Sequence, residues 1–210
     1  MKAIVYIDGY NLYYGSLKKS TDKWLDIQAF SRLITPKKYD LIKVRYFTAK
    51  VKPSSNKPSA ATDQDVYLRA IASHCDKVQI HFGQYVRRKK SAENANPPPS
   101  TVQIYNNEEK GSDVNLAVHL VNDAFIAGID AAILVSNDSD LVEAVRLASA
   151  RSIEVFWCPP LRNSRQPSNV LKDAVNHFRP IRENTYSRCQ LPASVICSAT
   201  NDALIKPTDW

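Results

Sequence analysis

The ten residues 131–140, AAILVSNDSD, constrain the fold more than any other stretch of the chain. An uninterrupted apolar run from Ala131 to Val135 ends abruptly in polar, turn-forming residues. A short apolar run bounded in this way predicts a strand that is buried on both faces, as in a parallel sheet. Open α/β sheets bind ligands at the carboxyl ends of their strands, so Asp138 and Asp140 are placed for chemistry.

The same two aspartates also have a purely structural interpretation. Asp and Ser residues ahead of the apolar helical pattern that begins at Leu141 are typical of an N-cap and a first helical turn. On this stretch alone, capping and ligand binding both stay open for Asp138 and Asp140.

A second apolar run, near the start of the chain, repeats this arrangement. Ala3–Ile7 (AIVYI) predicts a strand that also ends in a carboxylate, Asp8, followed by Gly9 and then Asn11. Gly9 permits a tight turn or a close approach of the backbone to a ligand, and Asn11 offers a carbonyl and an amide. The DGYN turn alone suits backbone geometry, but its pairing with a second strand that ends in DSD favours a shared site.

The rest of the chain alternates between predicted helices and strands. Helices are predicted at 12–17, 27–34, 63–75, 141–150 and 170–175. Strands are predicted at 41–51, 78–86, 101–105 and 153–158, with 101–105 returning in a hairpin with the strand before it. This alternation is typical of an α/β fold with a mainly parallel central sheet flanked by helices.

One further helix is predicted directly after Ser112. Its apolar residues recur at helical spacing, and Gly128 closes it. They are Val114, Ala117, Val118, Val121 and Phe125. Ser112 is the expected N-cap, and a first-turn carboxylate such as Asp113 gains from the helix dipole whatever else it does.

Composition indicates an ordinary globular domain with a basic bias. The 210 residues suit one α/β domain, with 44% hydrophobic and 23% charged residues. The formal net charge of +7, from 28 Lys and Arg against 21 Asp and Glu, favours a polyanionic partner, with nucleic acid as the leading candidate.

Cellular context is predicted from the cysteines and the apolar segments. No apolar stretch is long enough to span a bilayer, and only five residues separate Lys2 from Asp8, unlike a secretory signal. The four cysteines are widely spaced, without zinc-ligand patterns, which favours reduced thiols. We therefore expect a cytoplasmic protein with no membrane partner.

Four aspartates are predicted to meet at one edge of the sheet. They are Asp8, Asp113, Asp138 and Asp140. With no Lys or Arg interleaved in these motifs, their charges would repel strongly at reduced dielectric, so a cation is expected among them. Hard oxygen ligands select Mg²⁺ or Mn²⁺, and such ions are widely used to cut phosphodiesters.

Two basic segments are candidates for contact with nucleic acid. Arg87, Arg88, Lys89 and Lys90 open a predicted flexible insertion at 87–100 that includes NANPPPS. A solubilising flap and a phosphate-contacting flap are both open interpretations. Arg162 and Arg165 precede a short predicted helix, where they would form a phosphate cradle or ordinary surface charge.

Three segments together resemble a known family. IVYIDGYNLYYG, EKGSDVNLAVHLVNDAF and ILVSNDSDLVEAVR are similar, in order and spacing, to the three motifs of NYN domains. NYN domains are the PIN-like ribonucleases of the LabA and DUF88 group, and the resemblance covers residues 1–180. It implies a PIN-like, Rossmannoid three-layer sandwich and a metal-dependent endoribonuclease that uses Mg²⁺ or Mn²⁺ on RNA.

The resemblance also implies roles for particular residues. Asp8, Asp113, Asp138 and Asp140 would be metal ligands, and Asn11 and Ser136 would support them. Many relatives have Asp where this chain has His119, and Gly where it has Asn137. The change at His119 implies either one firmly held metal or a transfer of the ligand role to Asp123.

Other functions and assemblies stay open at this point. The same fold could serve as a catalytically silent RNA- or nucleotide-binding module, or as a metal-dependent phosphatase for small phosphoesters. Residues 181–210 form a C-terminal extension whose apolar residues, such as Leu191 and Trp210, are expected to pack on the domain. A homodimer is compatible with a domain of this size, although no surface patch identifies one.

Overall fold

The structure is a computed structural model, and it describes residues 1–53, 58–162, 166–208 and 210. The strands are β1 (Lys2–Asp8), β2 (Asp40–Thr48), β3 (Val78–Phe82), β4 (Gln84–Glu93), β5 (Thr101–Lys110), β6 (Ala131–Val135), β7 (Glu154–Trp157), β8 (His177–Phe178), β9 (Ser194–Ile196) and β10 (Ala203–Ile205). The α-helices are α1 (Gly9–Leu12), α2 (Ile27–Ile34), α3 (Ala60–His74), α4 (Ser112–Ile126), α5 (Val142–Ser149), α6 (Asn169–Ala174) and α7 (Asn184–Ser187). A π-helical turn at Tyr13–Leu17 extends α1, and a 3₁₀ turn at Ser139–Leu141 precedes α5.

Among the described residues, six parallel strands form the central sheet in the order β3-β2-β1-β6-β7-β8. All five residues of β6 are buried, which confirms the strand predicted from its apolar run. Strands β1 and β6 are neighbours in register, with Ile7 opposite Val135. Asp8 is the last residue of β1, and Ser136 directly follows β6. These two residues therefore lie side by side at the carboxyl edge of the sheet.

Two hydrophobic cores cover the two faces of this sheet. Alternate residues of a strand point to opposite faces, so Val5 and Ile7 enter one core while Ile4 and Tyr6 enter the other. Helices α2 and α3 contribute to the first core, and α4 and α5 to the second. The predicted α/β three-layer sandwich is confirmed.

The strand predicted at 78–86 is two strands, interrupted at Gly83. A Cβ atom at Gly83 would lie 2.7 Å from the Lys110 carbonyl oxygen and 2.9 Å from the Ser112 nitrogen, so only glycine fits this crossing. Beyond it, β4 pairs antiparallel with β5 over their whole length. We call β4 and β5 the basic ribbon; it contains the run 87–90 that was predicted to open a flexible insertion.

The predicted buried face of α4 is wrong for three of its five residues. Val114, Val118 and Phe125 are 65%, 59% and 55% exposed, whereas Leu116 and Leu120 are fully buried. The remaining two, Ala117 and Val121, pack at the edge of the second core. The core-facing side of α4 also carries Asp123, which is buried. A prediction from the spacing of apolar residues assigns this polar residue to the exposed face.

The C-terminal extension lies against the first core. Leu191, Val195 and Leu204 are buried there, and β9 and β10 form a small antiparallel sheet. The Trp210 ring packs edge-on against Trp24, with 6.4 Å between ring centroids. Ile196 and Ile205, by contrast, are exposed.

All four cysteines are free and buried. Within the described ranges, no helix combines the length and the apolar character needed to cross a membrane.

Candidate active site

Asp8 occupies the end of β1, where the strand turns directly into α1. Its side chain caps that helix, because Oδ1 accepts a hydrogen bond from the Asn11 backbone N–H at 2.8 Å. Oδ2 accepts a second bond from Ser136 Oγ at 2.9 Å. Asp8 is only 4% exposed, so its carboxylate is held in a fixed position.

The loop after β6 brings Asp138 to the same edge. The Asp138 backbone N–H donates to Ser136 Oγ at 3.1 Å, so Ser136 contacts both Asp8 and Asp138. Asp138 Oδ1 accepts from the Asp140 N–H at 3.0 Å and caps the 3₁₀ turn. The capping interpretation of Asp138 is confirmed, and it leaves the second carboxylate oxygen available to a ligand.

Asn11 also links the two loops. Its side-chain oxygen accepts a hydrogen bond from the Asn137 N–H at 3.0 Å. Ser136 and Asn11 therefore both tie the end of β1 to the end of β6, and neither needs to contact a substrate to fix the carboxylates.

Asp113 reaches the site from the start of α4. Gly111 adopts a left-handed conformation with φ of 92° and is the N-cap residue, so the prediction that Ser112 is the cap is wrong. Glu109 performs the capping instead: its carboxylate accepts hydrogen bonds from the Ser112 N–H at 3.0 Å and from Ser112 Oγ at 2.6 Å. Asp113 follows in the first turn.

Glu109 is a site residue that the sequence reasoning missed. Burial raises the pKa of Asp113 and the pKa of Tyr10, and the negative charge of Glu109 raises both further. The available signal was an acidic side chain three residues ahead of Ser112, where it can bond back to free helix N–H groups.

The carboxylates of this edge influence one another's protonation. The pKa of Asp8 is raised to about 7, first by burial and then by the charges of Asp113 and Asp138, while the hydrogen bonds from Asn11 and Ser136 lower it. The pKa of Asp113 is also raised, first by burial and then by Asp138, Glu109 and Asp140. No described Lys or Arg forms an ion pair with any of the four predicted ligands.

We call Asp8, Asp113, Asp138 and Asp140 the acidic cluster. Its donor atoms are all oxygens and its charge is uncompensated, which fits a hard divalent cation such as Mg²⁺ or Mn²⁺. In the part of the chain that the structure describes, no three acidic, imidazole or thiol groups are already gathered at metal-ligand distance. The cluster thus has the donor atoms that a divalent cation prefers, but three of its carboxylates do not already surround a single point at metal-ligand distance.

Asp123, the alternative ligand expected from the change at His119, belongs to a different site. The Arg45 guanidinium binds both of its oxygens, at 2.6 and 2.8 Å, and the Tyr6 hydroxyl donates a third bond at 2.8 Å. His119 lies beside this pair, with its ring centroid 4.3 Å from that of His81. The ligand role does not pass to Asp123, because its oxygens are engaged by Arg45 and Tyr6 in the protein interior.

The predicted nucleic-acid contacts separate into three groups. Arg87 and Lys89 share one face of the basic ribbon and both lie over the Tyr105 ring, at 4.1 and 5.9 Å from its centroid. Because side chains alternate along a strand, Arg88 and Lys90 point to the other face.

Arg162, in the loop before α6, has different surroundings from the basic ribbon. Arg162 forms an ion pair with Asp22 at 2.7 Å and lies over the Tyr186 ring, with both charged side chains only 14% exposed. We therefore assign Arg162 a structural role and do not retain it as a phosphate contact. Arg165 lies outside the described residues.

A cavity of about 510 Å³ opens beside Asp8. We call it the tyrosine cavity because six tyrosines line it: Tyr10, Tyr13, Tyr14, Tyr46, Tyr67 and Tyr85. Gly9 separates it from the acidic cluster; a Cβ atom there would come within 2.7 Å of the Phe47 carbonyl oxygen. Burial raises the pKa of the Tyr46 hydroxyl, and the charge of Asp8 raises it further.

Two known proteins are similar to this chain. A Pseudomonas putida (strain DSM 28022 / S16) protein named 6-hydroxy-3-succinoylpyridine 3-monooxygenase HspA is 27% identical over 238 aligned positions, covering all of this chain and 75% of that protein. The crystal structure of VPA0982, a protein of unknown function from Vibrio parahaemolyticus RIMD 2210633, is 19% identical with a TM-score of 0.53. That alignment covers 90% of this chain and 96% of the other, and it supports the fold alone.

A family comparison covers most of the described domain. The family model of the NYN domain, a nuclease-like fold, matches residues 2–182, which include the acidic cluster, the basic ribbon and the described lining of the tyrosine cavity except Trp210. The chain therefore belongs to the NYN domain family.

Proposed function

We propose that this protein is a metal-dependent endoribonuclease that hydrolyses RNA phosphodiester bonds at the acidic cluster. The observation that carries the proposal is the convergence of uncompensated carboxylates from β1, β6 and α4 at one edge of a parallel sheet. Membership of a nuclease-like family supports it. NYN and PIN-like nucleases commonly use divalent metals, in agreement with the oxygen-only donor set.

The residues of the site have three kinds of task in this mechanism: to hold the ion, to add negative charge and to position the ligands. Asp8, Asp113 and Asp138 would hold Mg²⁺ or Mn²⁺, with Asp140 adding charge at the outer side. The bound ion supplies Lewis-acid chemistry that polarises the phosphate and stabilises charge in the transition state. Ser136 and Asn11 keep the ligands in place through the hydrogen bonds between the two loops.

RNA is a better substrate for this surface than a small phosphoester. The basic ribbon extends from Gly83, whose neighbour Ser112 directly precedes Asp113. The four consecutive basic side chains of β4, at residues 87–90, suit several phosphates of a polyanion rather than a single one.

The test is a cleavage time course on an unstructured RNA and a hairpin RNA, each with Mg²⁺, Mn²⁺ or EDTA. Asn is a good N-cap residue, so Asp138→Asn removes the charge and keeps the helix start. Asp40→Asn is the matched control, because Asp40 is exposed at the opposite, amino end of β2. We expect metal-dependent cleavage by the wild type and Asp40→Asn, and a loss of about 100-fold or more in Asp138→Asn.

Four results would overturn the proposal. Equal cleavage by Asp138→Asn, or full cleavage in EDTA, would remove the acidic cluster from the chemistry. RNA binding without cleavage in either metal would indicate the silent RNA-binding module. Turnover of p-nitrophenyl phosphate, lost in Asp138→Asn while RNA stays intact, would indicate the phosphatase.

The name of the Pseudomonas relative favours a second candidate, hydroxylation of a small heteroaromatic acid. The tyrosine cavity has the size of a small-molecule site, which is about 300–1,000 Å³. We rank this candidate second because it rests on a relative that is 27% identical, whereas the nuclease candidate rests on a family model that matches residues 2–182. Oxygen consumption with 6-hydroxy-3-succinoylpyridine and NADH, absent without the pyridine, would bring it forward.

A further inference from the structure

The tyrosine cavity offers flat aromatic surface that is accessible from solution. Tyr14 is 48% exposed, and its ring is nearly parallel to that of Tyr10, with 13° between the planes. Tyr13 packs against it edge-on at 5.2 Å between centroids, which fixes the ring. Exposed tyrosines fixed in this way are stacking platforms for planar heterocycles such as nucleobases.

The charges at the cavity select an anion. Among the described residues that line it, Lys18, Lys52 and Arg87 carry positive charge, and Asp63 carries the negative charge. The Lys18 ammonium lies over the Tyr14 ring at 4.7 Å from its centroid, so a cation accompanies the aromatic surface. A planar ring that carries a negative group nearby is the chemistry of a nucleotide.

The position of the cavity connects it to the acidic cluster. Gly9 and Tyr10 line the cavity and directly follow Asp8 in the chain. Arg87 and Tyr85 reach it from the basic ribbon. A strand of RNA that follows the ribbon toward Asp8 would therefore pass the cavity.

We propose that the tyrosine cavity binds one unpaired nucleotide of an RNA strand, with its base on the tyrosine rings and its phosphate facing the basic residues. A base that enters a cavity must leave its helical stack, so the ligand is single-stranded. The placement of this nucleotide beside the scissile bond rests on the proposed ribonuclease function, whereas its binding does not.

The test measures binding without cleavage, by fluorescence anisotropy in EDTA. The probes are a fluorescein-labelled RNA octamer and the blunt duplex of the same sequence. The variants are Tyr14→Ala, which removes an exposed ring, and Tyr14→Phe, which keeps the stacking surface. Phe125→Ala is the matched control, because Phe125 is similarly exposed, on α4, and is not a cavity residue.

We expect the single strand to bind at least about tenfold more tightly than the duplex. Tyr14→Ala should weaken that binding about 5- to 100-fold, the range expected for one lost stacking contact. Tyr14→Phe and Phe125→Ala should stay within about twofold of the wild type, since neither loses the stacking surface. Unchanged binding by Tyr14→Ala, equal binding of the duplex, or an equal loss in Phe125→Ala would overturn the proposal.

Two further arms separate the possible ligands and the two proposals. Adenosine monophosphate, titrated by quenching of intrinsic fluorescence, probes a free nucleotide; its binding without any binding of the octamer would overturn an RNA subsite. If the cavity proposal fails alone, Tyr14→Ala cleaves RNA normally while Asp138→Asn does not. If the ribonuclease proposal fails alone, single-strand binding still depends on Tyr14 although no variant cleaves.

Discussion

Two aspartates at opposite ends of α4 have opposite surroundings. Asp113 faces other carboxylates, and its pKa is raised by burial and by their charges. Asp123 is bound through both oxygens by Arg45 and by the Tyr6 hydroxyl. The same residue type on the same helix is thus electrostatically uncompensated at one end and fully satisfied at the other. Uncompensated charge at an accessible edge indicates a ligand site, whereas a satisfied buried pair indicates structure.

The strongest way to break this comparison is Asp113→Asn. We expect RNA cleavage to fall by a factor of about 10³, because a proposed ligand loses its charge. The free energy of unfolding should stay within about 0.5 kcal/mol of the wild type or rise, since the change relieves repulsion. Cleavage rates and urea unfolding of the same preparation check both parts; lower stability with normal cleavage would contradict the assignment.

Asp123→Asn should show the reverse pattern. Arg45 would keep its buried charge without a matching carboxylate, which costs about 3–5 kcal/mol of unfolding free energy. Urea unfolding measures this loss, and the folded fraction should keep its cleavage rate per molecule when assayed at low temperature. Stability equal to that of Asp113→Asn would show that the Arg45 pair is not the structural element described here.

The pH dependence of stability sharpens the comparison within the acidic cluster. The pKa of Asp8 is raised in the folded state to about 7, so folded protein retains a proton that the unfolded chain loses. The stabilisation from this proton is complete below about pH 4 and is lost as the pH rises through 7. In EDTA, Asp8→Asn should therefore be more stable than the wild type by about 1–3 kcal/mol at pH 8.

At pH 3 the same pair should differ little, because Asp8 is then mostly protonated in both the folded and the unfolded state. Thermal unfolding at the two pH values checks the sign. An Asp8→Asn variant that is destabilised at pH 8 would mean that a cation, from the protein or from solution, already compensates the charge of the acidic cluster.

The smallest expected effect concerns the two faces of the basic ribbon. Arg87 borders the tyrosine cavity, so a double variant Arg87→Ala, Lys89→Ala should reduce the salt dependence of single-strand binding by about 1–1.5 units of log–log slope. Arg88→Ala, Lys90→Ala removes the same charge from the other face and should change the slope less. Equal changes would mean that the ribbon acts through net charge alone.

The strands and the grouping of the site were predictable because they depend on local patterns. Ala131–Val135 is a continuous apolar run, and parallel strands align their ends, so Asp8 and Asp138 had to meet. The three motifs added Asp113, whose approach depends on the path of α4 and could not be read from its own neighbours.

Two of the errors have one physical origin, which is that charges find partners far away in sequence. The exposed face of α4 was predicted to be buried because Asp123 looks polar, yet its pairing with Arg45 turns that side toward the core. Arg162 was predicted to contact phosphate or to be ordinary surface charge, but Asp22 and Tyr186 engage it. Glu109 was overlooked because its partner, the free N–H of Ser112, exists only once α4 has formed.

Asp8 and Asp138 are both helix caps, and this has an evolutionary consequence. Asparagine caps a helix about as well as aspartate, and one nucleotide change converts the codon of one into that of the other. A lineage could therefore lose the chemistry of this edge without losing the fold or the surfaces around it. Conversion of a nuclease into an RNA-binding protein would be a short step for this architecture, and reversion would be equally short.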